Sequence, residues 1–151
     1  MNYLHMLIGI PGSGKTTYAK LLEKDLDYII ISSDMVRINN PNWKEEKVFP
    51  EVYRLCGKYL KEGYNVILDA TNIDLEVRKK HIDSIREYHI DFKVVAYYFD
   101  IPLDICRNRV SNRNNNKEEL YLPVEVCDLY AGKIIPPKET EGFIKIVTIK
   151  N

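Results

Sequence analysis

Residues 9–16 read Gly9-Ile10-Pro11-Gly12-Ser13-Gly14-Lys15-Thr16, which is the complete spacing of a phosphate-binding loop. An apolar stretch of strand length, residues 3–8, precedes this loop, and residues 15–25 follow it with helical spacing. A phosphate-binding loop needs a strand before it and a helix after it, so the context fits as well as the spacing. The alternative is a chance match on a glycine-rich turn, which the flanking elements disfavour.

The residue types of the loop predict how it would hold a phosphate. Glycine lets the backbone approach the anion closely because it has no Cβ, and the loop amides and the helix dipole then face the anion. We predict that Lys15 reaches the β- and γ-phosphates and that the Thr16 hydroxyl ligates Mg²⁺. The predicted cofactors are ATP and Mg²⁺, with the nucleotide held by Gly12, Ser13, Gly14, Lys15, Thr16 and Thr17.

Length and charge limit the classes of protein and partner. A chain of 151 residues is most simply one domain, here 1–151. Lys plus Arg and Asp plus Glu are both 22, so the formal net charge is zero, whereas a protein that coats long DNA is usually basic. Any contact with a polynucleotide should therefore be local, over a few phosphates, and a small-molecule substrate is equally compatible.

Cysteine usage and hydropathy predict a cytoplasmic protein. Cys56, Cys106 and Cys127 are far apart and lack C-x-x-C spacing, so we expect buried, reduced thiols. We expect neither a signal peptide nor a segment of membrane-spanning length, and no membrane partner. Nothing in the sequence indicates the oligomeric state.

Apolar runs and helical patterns alternate along the chain, which predicts an α/β fold of three layers around a mostly parallel five-stranded sheet. We predict strands at 3–10, 28–32, 65–69, 92–99 and 143–149, the last at an edge of the sheet. We predict helices at 15–25, 50–62, 74–88, 102–112 and 123–131, with Asp74 as the N-cap of the third. In such a sheet, ligands bind outside the carboxyl ends of the strands.

Charged residues follow the second and third predicted strands. Asp34 and Arg37 would share one face if a helical turn starts near Ser33, where they could accept a hydroxyl proton and clamp a phosphate. A helix cap with an exposed arginine is the alternative. Asp69 ends the third strand, where an acid can hold a Mg²⁺-bound water, although a turn-forming role is also open.

Two arginines follow the fourth predicted strand on one helix face. Arg109 and Arg113 have i,i+4 spacing and lead into an Asn-rich stretch that extends to Lys117, a pattern typical of a small lid that clamps donor phosphates. A solvated basic helix end is the alternative, and it is preferred for Arg107. Trp43 could stack on a base, although such a residue more often packs.

These residues together resemble the kinase domain of polynucleotide 5′-hydroxyl kinases, within a wider group of small P-loop phosphotransferases. The resemblance rests on the phosphate loop, on Ser33-Asp34-Met35-Val36-Arg37, on Asp69-Ala70-Thr71-Asn72, and on Arg109 and Arg113 before Leu122-Pro123. It implies a P-loop kinase fold in which Asp34 is the general base, Arg37 binds the substrate phosphate, and Arg113 holds donor phosphates from the lid. The phage-type enzyme lacks a residue matching Ala70, which weakens only a substrate-contacting role for Asp69.

The function expected from this resemblance is ATP-dependent phosphorylation of the 5′-hydroxyl of a DNA or RNA end. The expected catalytic residues are Lys15, Asp34, Arg37 and Arg113, and the expected metal ligands are Thr16 and Asp69. Two alternatives remain open: a kinase of a small hydroxylated metabolite, and a nucleotide-binding NTPase module. A module that only binds or slowly hydrolyses nucleotide would not need a base for an acceptor hydroxyl, so the Asp34–Arg37 pair argues against it.

Overall fold

Five strands form one parallel sheet in the computed structural model, which describes residues 2–24, 27–116 and 121–151. In chain order the strands are β1 (Tyr3–Ile8), β2 (Tyr28–Ser32), β3 (Asn65–Asp69), β4 (Lys93–Asp100) and β5 (Lys145–Lys150). Their order across the sheet is β2-β3-β1-β4-β5. Every pairing between them is parallel, so the sheet over the described ranges is wholly parallel, beyond the mostly parallel sheet predicted.

Six helices are present in the described ranges: α1 (Lys15–Glu23), α2 (Ser33–Asn39), α3 (Val48–Lys61), α4 (Leu75–Arg86), α5 (Leu103–Arg113) and α6 (Glu125–Ala131). Short 3₁₀ turns cover Glu45–Lys47 and Glu139–Glu141. Because consecutive strand side chains alternate between faces, β1 contributes to two cores. Leu4 and Met6 pack with residues of α3 such as Val52, while Leu7 packs with Ala19 of α1. These cores on the two faces of the sheet confirm the three-layer α/β prediction.

Most predicted element boundaries lie within two residues of the observed ones, and the differences have local causes. β1 ends at Ile8 rather than residue 10, since the Gly9 amide donates to Thr71 O (3.2 Å) at the start of the loop. α3 begins at Val48, two residues before Pro50, which the first turn tolerates because its amides need no helical partner. Residue 25, at which the predicted first helix ends, lies outside the described ranges.

Other structural expectations are confirmed. Asp74 caps α4, and its Oδ1 accepts the Val77 amide at 2.8 Å. β5 lies at an edge of the sheet, and Lys145 and Lys150 are exposed. The three cysteines are buried and form no disulfide. Among the helices of the described ranges, none is both long and apolar enough to span a membrane.

Candidate active site

The phosphate loop lies between the carboxyl end of β1 and the first turn of α1. Gly12 and Gly14 adopt left-handed conformations (φ +83° and +95°), which only glycine adopts without strain. Gly14 caps α1, so Lys15 and Thr16 form its first turn. The loop therefore places free backbone amides and the positive end of a helix dipole together. The Ser13 hydroxyl is buried and has no hydrogen-bond partner among the described residues.

Gly12 also lacks a side chain because α5 packs directly against it. A Cβ added to Gly12 would lie 2.3 Å from the Cys106 carbonyl oxygen. The Cys127 thiol of α6 lies 3.6 Å from Pro11 O, also in the loop. The two buried cysteines thus belong to the support beneath the loop, a packing role that their apolar sequence context predicted in outline.

The Lys15 ammonium group is held over its own loop. Its Nζ donates to Gly9 O (2.9 Å) and Ile10 O (3.0 Å). Burial lowers the pKa of Lys15 from its ordinary value, and the charges of Asp69 and Asp34 oppose that shift. A phosphate bound to the loop would add negative charge beside this buried cation and favour its charged form.

Thr16 and Asp69, the two residues predicted to ligate a metal, are in direct contact. The Thr16 hydroxyl donates to Asp69 Oδ2 at 2.8 Å. Burial raises the pKa of Asp69, and the Lys15 charge and the Thr16 hydrogen bond oppose that shift. Adjacent oxygens around an octahedral Mg²⁺ lie about 2.8–3.0 Å apart, given bonds of about 2.0–2.1 Å, so this hydroxyl and carboxylate fit the ion.

The remaining ligands of such an ion would come from water and nucleotide phosphates. The described ranges contain no group of three or more His, Cys, Asp or Glu side chains suited to a metal. Mg²⁺ characteristically uses one or two protein oxygens together with substrate phosphates, rather than a cage made only of protein ligands. The Thr16–Asp69 pair is consistent with that mode.

The helical turn expected near Ser33 is present as α2, capped by Ser32, whose Oγ accepts the Met35 amide at 3.3 Å. Asp34 is therefore not the cap, which removes the simplest alternative to a chemical role. Arg37 Nη1 donates to Asp34 Oδ1 at 2.8 Å, as the three-residue spacing predicted. The side chain of Asp34 is 53% exposed, so its second oxygen can be reached by an acceptor.

Arg37 has a second partner that the sequence did not indicate. Its Nε donates to Glu45 Oε1 (3.0 Å) and Oε2 (3.1 Å), and its Nη2 donates to Oε1 at 2.5 Å. Glu45 begins the 3₁₀ turn ahead of α3. The Arg37 guanidinium, predicted to clamp a substrate phosphate, thus forms an ion pair with a carboxylate from another element in this structure.

The charges of the predicted site converge on Lys15 and Asp69. The charge of Asp34 raises the pKa of both residues, and that of Arg113 lowers the pKa of both, each effect being secondary to burial. Asp34, the predicted base, and Arg113, predicted to hold donor phosphates, are therefore close enough to the phosphate loop to interact electrostatically with it. They come from different elements, α2 and the end of α5.

The predicted lid is described only in part. Arg109 Nη1 donates to Gly12 O at 3.3 Å, which places this guanidinium against the phosphate loop. Arg113 ends α5, and the Asn114 side chain then pairs with Leu122, donating to its carbonyl (2.7 Å) and accepting its amide (3.0 Å). Lys117, at which the Asn-rich stretch ends, lies outside the described residues, as do residues 118–120.

The basic residue interpreted as a solvated helix end has a partner. Arg107 Nη1 donates to Asp128 Oδ2 at 2.5 Å, which joins α5 to α6. Trp43 is part of an open groove with Pro50 and Arg54 of α3 and with Tyr88. The groove leaves the Trp43 ring accessible, and base stacking there remains a prediction.

Two residues that brace the site were missed by the sequence reasoning. Asn72 has a left-handed backbone (φ +48°), and its Nδ2 donates to Leu7 O at 2.6 Å. The neighbouring Thr71 O accepts the Gly9 amide. These contacts join the segment after Asp69 to the start of the phosphate loop. The only sequence signal for them is that asparagine tolerates a positive φ better than most residues do.

Arg78 of α4 stabilises the segment that contains Asn72. Its side chain is fully buried, and its guanidinium donates to Asn72 O (2.9 Å), Ile135 O (2.9 Å) and both carboxylate oxygens of Glu141 (2.8 and 3.0 Å). The sequence shows Arg78 only as one basic residue on an amphipathic helix. Two of its partners, Ile135 and Glu141, lie 57 and 63 residues further along the chain, beyond the reach of any local pattern.

The family follows from a match that covers most of the chain. A family model described as an AAA domain matches residues 4–137. The chain belongs to this family. The match includes the phosphate loop, α2, β3 and α5, and therefore all the predicted site residues.

Two curated relatives extend the comparison. An L-seryl-tRNA(Sec) kinase of Methanococcus maripaludis is 33% identical over 116 residues, covering 70% of this chain and 44% of that protein. A bifunctional polynucleotide phosphatase/kinase of Schizosaccharomyces pombe is 23% identical over 141 residues, covering 93% of this chain and 32% of that protein. This chain thus spans less than half the length of each of these relatives.

A solved structure agrees on the fold. Kti12 of Chaetomium thermophilum, in complex with ADP-AlF3, superposes with a TM-score of 0.76 at 19% identity, covering 97% of this chain and 88% of that chain. At this identity the likeness concerns the fold alone. It confirms the expected P-loop kinase fold for this member of the AAA domain family.

Proposed function

We propose that this chain transfers the γ-phosphoryl group of ATP to the 5′-hydroxyl of a DNA or RNA end. The observation that carries the proposal is the Asp34–Arg37 pair, with 2.8 Å between Oδ1 and Nη1, at the start of a helix whose cap is a different residue. An exposed carboxylate that acts electrostatically on Lys15 and Asp69 suits a base for an acceptor hydroxyl. A site that only bound or hydrolysed nucleotide would not require that carboxylate.

The residues divide the reaction between them. The acceptor oxygen forms a bond to the γ-phosphorus while the bond to the β,γ-bridging oxygen breaks, ADP leaves, and Asp34 accepts the hydroxyl proton. Lys15 and Arg113 stabilise negative charge on the transferring group and the leaving phosphates. Thr16 and Asp69 would hold Mg²⁺, which supplies further charge neutralisation when bound.

The acceptor side of the proposal rests on Arg37. The Arg37 guanidinium, three residues after the proposed base, can bind a phosphate next to the reacting nucleoside. Arginine is well suited to this role because its planar guanidinium donates two parallel hydrogen bonds to a phosphate. The polynucleotide phosphatase/kinase from fission yeast, matched over 93% of this chain, supports a nucleic acid end as acceptor.

A second acceptor has a specific observation in its favour. The relative from Methanococcus maripaludis, 33% identical over 116 residues, is named for a seryl group carried on tRNA. Seryl-tRNA resembles a nucleic acid end in one respect, since its serine hydroxyl is attached to a molecule rich in phosphates. The small-metabolite alternative has the same need for Asp34 but no evident need for Arg37.

Transfer of a labelled γ-phosphate to a panel of acceptors tests the proposal. The panel contains 5′-hydroxyl DNA and RNA oligonucleotides, a nucleoside 3′-phosphate, the free nucleoside, seryl-tRNA and simple sugars, with K15A as the inactive control. We expect the oligonucleotides and the nucleoside 3′-phosphate to accept label far better than the free nucleoside. Labelling of seryl-tRNA alone, or of sugars alone, would replace the 5′-hydroxyl assignment.

A further inference from the structure

Arg37 of α2 forms hydrogen bonds with two carboxylates, of which only Asp34 has a proposed catalytic role. Asp34, the proposed base, takes one hydrogen bond from Nη1 (2.8 Å). Glu45 takes the Nε–Nη2 edge through three contacts of 2.5–3.1 Å. That edge presents two parallel N–H groups, the arrangement with which arginine binds a phosphate.

The Glu45 contact is well formed yet open to solvent. The Glu45 side chain is 68% exposed and that of Arg37 is 28% exposed, so water can replace either partner. Exposed ion pairs typically change an equilibrium by no more than about fivefold. An incoming phosphate could therefore displace the Glu45 carboxylate at small cost, whereas breaking a buried pair would be prohibitive.

The hydrogen bond from Arg37 lowers the pKa of Glu45, so the carboxylate stays ionised at neutral pH. It carries one negative charge beside the place where the acceptor phosphate would bind. That charge repels an incoming anion until the carboxylate has moved away.

We propose that Glu45 is an internal counter-ion of Arg37, exchanged for a phosphate of the acceptor when the acceptor binds. The inference rests on the proposed function, since it assigns the exchanged phosphate to the acceptor. Glu45 is then a specificity residue: an acceptor without a phosphate next to its hydroxyl leaves Glu45 in place and gains nothing from Arg37. Competition of this kind discriminates against poorly matched ligands.

Internal exchange has a signature in salt dependence. A cation that binds a nucleic acid phosphate normally releases condensed counter-ions, which gives a slope of about 0.7 in log affinity against log salt per phosphate on a single strand. Arg37 instead releases Glu45, which remains tethered to the protein. The Arg37 contact should therefore add little to the slope until Glu45 is neutralised.

The test compares E45Q with D83N. Asp83 forms an exposed pair with Lys79 of α4, with a contact of 2.6 Å, so D83N makes the same charge change at a pair that is not part of the proposed site or of the Trp43 groove. E45A serves as a second variant because glutamine can still accept a hydrogen bond.

In steady-state kinetics with a 5′-hydroxyl oligonucleotide, we expect E45Q and E45A to lower KM up to about fivefold with kcat unchanged. We expect the salt slope of oligonucleotide affinity to steepen by about 0.7, and D83N to match the parent. A raised KM would show that Glu45 positions Arg37 instead of competing for it. Values indistinguishable from those of D83N would also overturn the proposal.

A binding measurement separates this inference from the proposed function. With the phosphate loop filled by Mg²⁺ and a non-hydrolysable ATP analogue, inorganic phosphate is titrated into the parent, E45Q, D83N, R37A and the double variant R37A/E45Q. We expect E45Q to bind phosphate up to about fivefold more tightly, with the gain absent in R37A/E45Q. Equal affinity in E45Q and parent, including no binding by either, overturns the counter-ion role even if oligonucleotides are substrates. A gain without oligonucleotide phosphorylation retains the exchange at Arg37 and overturns the assignment of the phosphate to a nucleic acid.

Discussion

The Thr16 hydroxyl and the Asp69 carboxylate lie 2.8 Å apart although 53 residues separate them in the sequence. One comes from the first turn of α1 and the other from the last residue of β3. They meet because β1 and β3 are parallel neighbours, so the loop after one strand faces the end of the other. This contact joins the nucleotide-binding and metal-binding parts of the proposed site.

Asp69→Asn should weaken binding of Mg·ADP more than binding of metal-free ADP. Asparagine can still accept from Thr16, but it lacks the negative charge that Mg²⁺ requires. Loss of a charged partner should cost about 1.5–3 kcal/mol, measured by calorimetry with Mg²⁺ and with EDTA. Equal losses in both conditions would indicate that Asp69 supports the loop and not a metal.

Asp34→Asn should reduce turnover by about 10²- to 10⁴-fold, the usual contribution of a general base. The affinity for ATP should change little because the proposed function assigns Asp34 to the acceptor and not to the nucleotide. Rapid-quench measurement of a single turnover isolates the chemical step. Asp83→Asn, at an exposed pair with Lys79, is the matched control; turnover of D34N at the control's rate would remove the base from the mechanism.

Gly12→Ala should destabilise the fold and abolish nucleotide binding. The new Cβ would need a left-handed backbone, at about 1–2 kcal/mol, and would meet the Cys106 carbonyl at 2.3 Å. Gly63→Ala is the control because Gly63 has a similar φ of +100° but open space around it. Urea unfolding should show a clearly larger loss for G12A; equal losses would mean that α5 does not press on the loop.

Arg78→Ala should cost about 3–5 kcal/mol of the free energy of unfolding, because it leaves the carboxylate of Glu141 in a nearly closed site without its partner. Lys79→Ala, next along α4 and in an exposed pair, should change that free energy by less than about 1 kcal/mol. Urea unfolding of the two variants makes the comparison. A small loss for R78A would show that water reaches Glu141 easily.

Acidification should destabilise the fold between about pH 6.5 and 4 through two buried histidines. Burial lowers the pKa of His5 and of His81 to about 4, so the unfolded chain binds protons that the folded chain does not. The stabilisation is present above the unfolded pKa and is lost as pH falls towards 4, by up to about 3 kcal/mol per histidine. Unfolding measured from pH 7 to 4 should show a shallower loss in His81→Gln than in the exposed-site control Lys79→Gln.

The sequence predicted those parts of the molecule that depend on neighbouring residues. The phosphate loop, the parallel strands and the Asp74 cap each have a local pattern, and so does the three-residue spacing of Asp34 and Arg37. Their physical basis is short-range: glycine φ angles, apolar runs and helix periodicity. Of the predicted site residues, Asp34 and Arg37 meet within one helix, while Thr16 and Asp69 meet through the strand order; their chemical roles stay predictions.

What the sequence did not predict are contacts between distant segments. Glu45 reaches Arg37 across the turn before α3, and Arg78 reaches Glu141 across 63 positions. Neither acidic residue has a distinctive neighbourhood in the sequence. Only the packing of the elements decides which carboxylate meets which guanidinium, so single-sequence reasoning treats all of them as surface charges.

The strand order has a consequence for synthesis of the chain on the ribosome. β1 is made first, yet it lies at the centre of the sheet, between β3 and β4. Its register partners run to Tyr98, so the chain must emerge through β4 before β1 is paired on both sides. Translation at about 5–20 residues per second leaves this apolar strand exposed for seconds, during which a nascent-chain chaperone would have its best opportunity to bind.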